Sequence, residues 1–248
     1  MNSWAFCEWF NDCTPVNMLF EQAYAKRVRA LDQIRILADA AVKPVPAHST
    51  LEGGKSTAVV AHQLLKRNRN IRYASRKGRM PPSVMMARFA GDTLVRDASI
   101  AGALDAIAGA ILAALERTER DGILIDVRNP KCNDDCFTDR WPENHAAQRT
   151  YIDDLKLFRR QLVALMSDQF TLDQKRDLLV AMFGEGPAQS AIDDYAANIG
   201  RAVQSGDRTV APSGKVIPAA SVAAPSIISS AYAQPRGHTF YGTKQRSR

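Results

Sequence analysis

The side chains with the clearest chemical potential in this 248-residue chain form a run of cations between residues 66 and 79. No acidic residue interrupts the run, whose seven members are Lys66, Arg67, Arg69, Arg72, Arg76, Lys77 and Arg79. Clustered cations attract phosphate groups, so one interpretation is a surface for a polyphosphate or a nucleic acid. The other is a solvated helix end, because cations are favoured near a helix C-terminus. The run alone leaves both interpretations open.

A second candidate is the sequence Gly-Lys-Ser-Thr at 54–57, which has the ending of a phosphate-binding loop. That loop requires a glycine at position 49 and a buried strand before it. The chain has Ser49 there, and the proline-containing segment 43–46 is not a buried strand. We therefore reject a phosphate loop and interpret the glycines as the start of a helix.

The cysteines offer a third kind of chemistry. Cys132 and Cys136 have a CxxxC spacing, but zinc needs two more ligands and His145 is the only candidate nearby. We expect no metal here. Four cysteines in a chain of this length do not form a disulfide scaffold, so we expect reduced thiols and a cytoplasmic protein. The sequence shows neither a secretory signal in residues 1–30 nor an apolar run that could span a bilayer, so no membrane partner is expected.

The net charge of +7 is concentrated in one region. Residues 206–248 contain six cations and one acid, which leaves the remainder of the chain close to neutral. A large positive surface on the body is therefore not indicated, and we do not expect it to bind nucleic acid.

Helices must position these side chains, because the apolar residues recur at helical spacing. The predicted helices are 17–41, 55–69, 82–94, 99–118, 145–168, 171–183 and 187–204. Ser99 and Thr171 are predicted N-caps, and Gly184 a helix stop. The segment 127–144 is predicted to be a loop, and Ile123–Ile125 a short, extended, buried piece. We therefore predict an all-α helical bundle at 1–205, followed by a disordered, basic tail rich in Pro, Ala and Ser at 206–248.

Three segments taken in order resemble the C-terminal half of bacterial cGAS/DncV-like nucleotidyltransferases, which are related to oligoadenylate synthetases. They are Trp-Ala-Phe-Cys-Glu-Trp-Phe at 4–10, the helix 55–69, and the stretch 129–141 with its Asp-Arg-Trp ending. The helix matches its counterpart without a gap at Lys55, Ala61, Gln63, Leu64, Leu65, Lys66, Arg67 and Arg69. Pro82-Ser83-Val84 resembles the opening of the family's next helix, and Phe183-Gly184 resembles the end of its bundle.

The resemblance implies a nucleotide-binding role for Lys66 and Ser83, with Arg67 and Arg69 as secondary candidates. Nucleotidyl transfer depends on two metal ions held by carboxylates and on cations that hold the triphosphate in line. A lysine binds phosphate as a point charge, and a serine at a helix N-terminus adds a hydroxyl where the dipole favours anions.

The same resemblance implies that the catalytic carboxylates are missing. Relatives use a Gly-Ser turn before a helix, then an Asp-x-Asp pair on one strand and a third Asp on a neighbouring strand. This sequence has no Gly-Ser dipeptide and no Asp followed two residues later by an acid. We expect no catalytic residue, no metal site and no cofactor in this chain alone, with Mg²⁺ and a nucleoside triphosphate in a complete enzyme.

We therefore expect a helical lobe that is truncated or split from its catalytic lobe and inactive alone. Its partners would be a nucleoside triphosphate and a separately encoded catalytic lobe or defence-system protein. The parent activity would be synthesis of nucleotide second messengers in antiphage (antiviral) defence. The alternatives are a non-enzymatic helical binding or regulatory module and a degraded gene product.

Overall fold

The computed structural model describes residues 3–15, 22, 56–93, 99–210 and 216–218. Within them the helices are α1 (Ser3–Cys13), α2 (Thr57–Tyr73), α3 (Ser83–Asp92), α4 (Ile100–Arg120), α5 (His145–Met166), α6 (Leu172–Phe183) and α7 (Glu185–Gln204). The strands are β1 (Arg128–Asn129), β2 (Cys132–Cys136), β3 (Arg208–Val210) and β4 (Val216–Pro218). The predicted all-α class is confirmed. The helix predicted at 17–41 lies outside the described residues.

The chain divides into two compact units, residues 1–192 and 193–248. The boundary falls within α7, whereas the sequence indicated a boundary at 205/206. In the second unit β3 and β4 pair antiparallel, so a short hairpin stands where no regular structure was expected. The remainder of the predicted tail lies outside the described residues, and its disorder stays a prediction. No helix among the described residues is long and apolar enough to cross a membrane.

The core of the first unit is built around α4, which packs against both α2 and α5. The predicted apolar stripe of α4 is buried at Leu104, Ile107, Ile111 and Leu115. Phe158 on α5 and Leu65 on α2 are at most 2% exposed. Burying each such large apolar side chain contributes roughly 1.5–3 kcal/mol, so the packing of α2 against α4 helps to fix α2 in place.

Side-chain caps define the starts of four helices. Ser56, Ser99 and Asn144 accept hydrogen bonds from backbone N–H groups in the first turns of α2, α4 and α5. Thr171 forms a full capping box with Gln174 at α6. The predictions for Ser99 and Thr171 are confirmed. α3 differs, because its N-cap is Pro82 and no side chain caps its first turn.

The predicted loop at 127–144 contains an antiparallel hairpin, in which β1 pairs with β2. The strand Cys-Asn-Asp-Asp-Cys lacks alternating apolar residues, which is why no strand was predicted there. The prediction for Ile123–Ile125 was mostly wrong: Ile123 is 55% exposed and Leu124 37%, and only Ile125 is buried.

Candidate functional site

Lys66 lies on the exposed face of α2. It borders an open groove of about 510 Å³ that is lined by Gln63, Lys66, Arg67, Asn70, Ile71 and Ala74. No hydrogen bond or ion pair joins Lys66 to any residue that the structure describes, although its charge acts on the ring of His62 one turn away. The ammonium group is therefore not engaged by the part of the chain that the structure describes.

Arg67 follows Lys66 directly but is used by the protein. Its Nε donates a hydrogen bond of 2.5 Å to the carbonyl oxygen of Phe183, at the end of α6. The neighbouring Asn68 donates from Nδ2 to Met182 O at 2.9 Å. Carbonyl groups at a helix C-terminus have no partner within the helix, so these two side chains complete α6 and attach it to α2. The predicted nucleotide contact for Arg67 stays a prediction.

Arg69 is also held internally. It is 6% exposed, and its Nη1 donates to Pro81 O at 2.5 Å. Its Nε and Nη2 both donate to the side-chain oxygen of Asn70, at 3.1 and 2.7 Å. Burial lowers the pKa of the guanidinium below its ordinary value. Arg69 therefore fixes the chain segment that leads into α3, and its burial disfavours the predicted direct contact with a nucleotide, which has not been tested.

Arg72 and Arg76 converge on Asp154 of α5. Arg76 donates to both carboxylate oxygens, at 2.5 and 2.9 Å, and Arg72 Nη1 lies 3.7 Å from Oδ1. The Asp154 side chain is 8% exposed. Adjacent acidic residues on a helix would ordinarily both be expected in solvent, but here only Asp153 is exposed and Asp154 is buried. These contacts attach two parts of the chain to α5: the end of α2, through Arg72, and the segment that follows α2, through Arg76.

Ser83 is the first residue of α3 and is half-buried. The ring Nε2 of His62 lies 3.2 Å from Ser83 O. His62 also faces the ring of Phe10 on α1, at 6.1 Å between centroids. His62 thus contacts Ser83 and lies one helical turn before Lys66. These are the two residues to which the resemblance assigns nucleotide binding. Sequence reasoning missed His62, and its spacing of four residues from Lys66 was the signal available.

The first turn of α3 suits an anion for two further reasons. Its backbone N–H groups receive no side-chain cap, in contrast to those of α2, α4, α5 and α6. A helix N-terminus also carries about half a positive charge. Lys66, the Ser83 hydroxyl and the first-turn N–H groups of α3 are donors of the kinds that bind phosphate, and a nucleotide site formed by Lys66 and Ser83 stays a prediction.

The cysteine pair shows a different arrangement. Cys136 Sγ donates to Asp126 Oδ1 at 3.2 Å. Cys132 lies four residues earlier on β2, and the hairpin register is irregular between them, because Cys136 and Cys132 pair with the adjacent residues Arg128 and Asn129 of β1. Among the described residues no group of three His, Cys, Asp or Glu side chains could hold a metal ion. The expectation that Cys132 and Cys136 bind no zinc stays a prediction.

The sequence also gave no indication of a polar cleft of about 550 Å³ next to the β1–β2 hairpin. Its lining includes Arg88, Arg117 and Arg128. Arg88 pairs with Asp92 and Arg128 pairs with Asp126, so two of the three cations are neutralised within the cleft. This leaves the Lys66 edge of α2 as the better candidate for a polyanion.

Comparison with known proteins gives the class to which these features correspond. A solved structure of a CD-NTase is similar to this chain, with a TM-score of 0.65 and 31% sequence identity over 79% of this chain and 56% of the other. That structure is of CdnG from Bradyrhizobium diazoefficiens, in complex with GTP. The cyclic dinucleotide synthase CdnG of the same organism is 33% identical over 246 residues, which are 99% of this chain and 59% of that protein.

The resemblance to cGAS/DncV-like nucleotidyltransferases is therefore confirmed over nearly all of the 248 residues. This chain spans about three-fifths of the length of the cyclic dinucleotide synthase that it matches. A search of protein-family models found no match.

Proposed function

We propose that this chain serves as the helical lobe of a cGAS/DncV-like nucleotidyltransferase and that it holds the triphosphate of a nucleoside triphosphate. The observation that carries the proposal is the difference between Lys66 and its neighbours. Arg67, Arg69, Arg72 and Arg76 bond the protein itself, whereas Lys66 forms no hydrogen bond or ion pair with a described residue and lies one turn from the His62–Ser83 contact. The GTP in the similar CdnG structure supports a nucleoside triphosphate as ligand.

The physical basis of binding is electrostatic. A triphosphate would receive one point charge from Lys66, a hydroxyl from Ser83 and the N–H groups of an uncapped helix N-terminus. Because Lys66 is exposed, salt screens this attraction over about 10 Å at 0.1 M ionic strength. We therefore expect weak binding that falls further as salt is added.

The chemical step needs groups that these residues do not supply. In the proposed enzyme two Mg²⁺ ions are held by carboxylates that have no counterpart in the 248 residues, and they would come from another part of the protein or another chain. The complete enzyme would make cyclic or short oligonucleotide signals for antiphage defence in the cytoplasm. We propose that the 248 residues alone make no oligonucleotide.

A second candidate is a non-enzymatic helical module that binds or regulates. It is favoured by the absence of an Asp-x-Asp pair from the sequence. Mixing the purified chain with the catalytic lobe of a relative, Mg²⁺ and nucleoside triphosphates separates the two. The enzyme-lobe proposal expects turnover that neither part shows alone, and turnover that drops with Lys66→Ala. Robust synthesis by the chain alone would overturn the proposal.

The direct test is GTP binding by the purified chain, measured by titration calorimetry at two salt concentrations. We expect Lys66→Ala to weaken binding about fivefold, roughly 1 kcal/mol, the scale of one screened charge contact. Lys77→Ala is the matched control, since Lys77 is an exposed lysine of the same basic run and no contact joins it to the described residues. Equal effects of the two substitutions would mean that only overall charge matters and would contradict the proposed site.

A further inference from the structure

We propose that His62 is a positioning residue for the triphosphate site, and that it fixes the first turn of α3 relative to Lys66. This inference rests on the proposed function of Lys66 and Ser83. His62 is on the same helix as Lys66, one turn before it, and its ring bonds the backbone of Ser83 at 3.2 Å. His62 thus links the helix that carries Lys66 to the first residue of α3.

The hydrogen bond assigns the tautomer of the ring. A carbonyl oxygen can only accept, so Nε2 must carry the hydrogen and donate it to Ser83 O. Burial lowers the pKa of the His62 ring. The bond to Ser83 raises this pKa in part, and the charges of Lys66 and Arg69 lower it further. The ring is therefore neutral near pH 7, with its hydrogen on Nε2.

The ring has little freedom to leave this position. The edge-to-face contact with Phe10 holds it from the side of α1. α2 is held in turn by Arg67 and Asn68 at the end of α6 and by Arg72 at Asp154. Because α2 is well anchored, the bond from His62 fixes the start of α3 relative to α2.

α3 needs such an external contact more than its neighbours do. Pro82 occupies its N-cap position and supplies no side-chain hydrogen bond, whereas four other helices have side-chain caps. A cap on α3 would occupy the N–H groups that the proposed phosphate needs. The bond from His62 reaches the carbonyl group of the first residue instead, and so steadies the turn while its N–H groups stay free.

The test compares two substitutions by their effect on GTP affinity. His62→Gln keeps a side-chain N–H donor, and His62→Leu removes it while leaving a side chain of similar bulk. We expect the Leu variant to bind GTP about threefold to tenfold more weakly, the range of one neutral hydrogen bond, and the Gln variant to recover most of the loss. Equal loss in both variants would mean that the shape of the ring matters rather than its donor, and would overturn the inference.

A double-mutant cycle shows whether His62 acts through Ser83. If part of its effect runs through the Ser83 hydroxyl, His62→Leu weakens GTP binding less in a Ser83→Ala background than in the wild type, and the remaining effect reflects the first-turn N–H groups that Ser83→Ala keeps. Additive losses would overturn the proposal, because they would place the effect of His62 elsewhere. Ser75→Ala, at an exposed serine in the loop after α2, serves as the control background.

The failure of this inference is distinguishable from failure of the proposed function. If Lys66→Ala weakens GTP binding and His62→Leu does not, the proposed function stands and the role of His62 is wrong. If Lys66→Ala has no effect, the proposed function itself is wrong.

In case the Leu variant does not fold, ¹⁵N NMR of the His62 ring in the wild-type protein provides a separate test. An Nδ1–H tautomer, or ring nitrogens whose signals do not respond to GTP, would overturn the proposal.

Discussion

Two parts of one basic run use their charges in opposite ways. From Arg67 to Arg76 the four arginines bond carbonyl groups, amides and a carboxylate of the protein itself. Lys66 and Lys77 are exposed, and neither has a hydrogen bond or an ion pair with the described residues. The charge density that first suggested a polyphosphate surface is therefore mostly structural, and little of it is available to a ligand.

The chemistry of the two side chains explains the division. The planar guanidinium presents five N–H donors in a fixed fork, which suits the bidentate bond from Arg76 to Asp154 and the several acceptors around Arg69. An ammonium group is more strongly hydrated and is costly to bury, so lysines remain at the surface. In this basic run the identity of each cation says more about its role than the number of cations does.

The largest effect on stability is expected at the buried ion pair. Asp154→Ala leaves Arg72 and Arg76 without their carboxylate, and we expect the free energy of unfolding to fall by about 3 kcal/mol. Asp153→Ala, at the exposed neighbour, is the control and should change it by less than about 0.5 kcal/mol. Urea denaturation measures both. Similar small losses in both variants would show that the arginines are not structural and would remove the contrast.

A sharper comparison uses two adjacent cations. Arg67→Ala loses the bond to Phe183 O, and we expect a loss of about 1.5 kcal/mol in unfolding free energy, the lower end for a bond from a charged group. Lys66→Ala should leave stability within about 0.5 kcal/mol. GTP affinity should show the reverse pattern, with a larger loss for Lys66→Ala than for Arg67→Ala. If Arg67→Ala is as stable as the wild type and binds GTP as poorly as Lys66→Ala, then Arg67 belongs to the ligand site as the sequence suggested.

The sequence predicted what depends on local pattern. α4 and α5 lie within two residues of their predicted ends, because each has a continuous apolar stripe and a polar N-cap. It could not distinguish Asp153 from Asp154, since the difference comes from Arg76, which lies 78 residues away along the chain. Lys66 and Ser83 came from the family resemblance, whereas the role of His62 depends on a contact between two helices that no local pattern reveals.

The smallest predicted effect concerns pH and isolates His62. The ordinary pKa of histidine is 6.5, and the folded protein lowers it, chiefly by burial. Just below pH 6.5 the unfolded ring takes up a proton that the folded ring does not, so the unfolded state is favoured as the pH falls. Unfolding free energy should therefore decrease from pH 7.5 toward the lowered pKa of His62.

His62→Gln should flatten this dependence, because glutamine does not titrate. The carboxyl groups with lowered pKa values act in a lower range: the pKa of Asp105, which accepts hydrogen bonds from Arg159, is held below its ordinary 3.8. Urea denaturation is therefore restricted to pH 5.5–7.5, which excludes most of the carboxylate titration. Subtracting the unfolding free energy of His62→Gln from that of the wild type cancels the contribution of the other titrating groups. Identical pH profiles would mean that the His62 ring is not buried as a neutral group. The hydrogen bond from His62 Nε2 to Ser83 O would then not fix α3 relative to Lys66 as proposed.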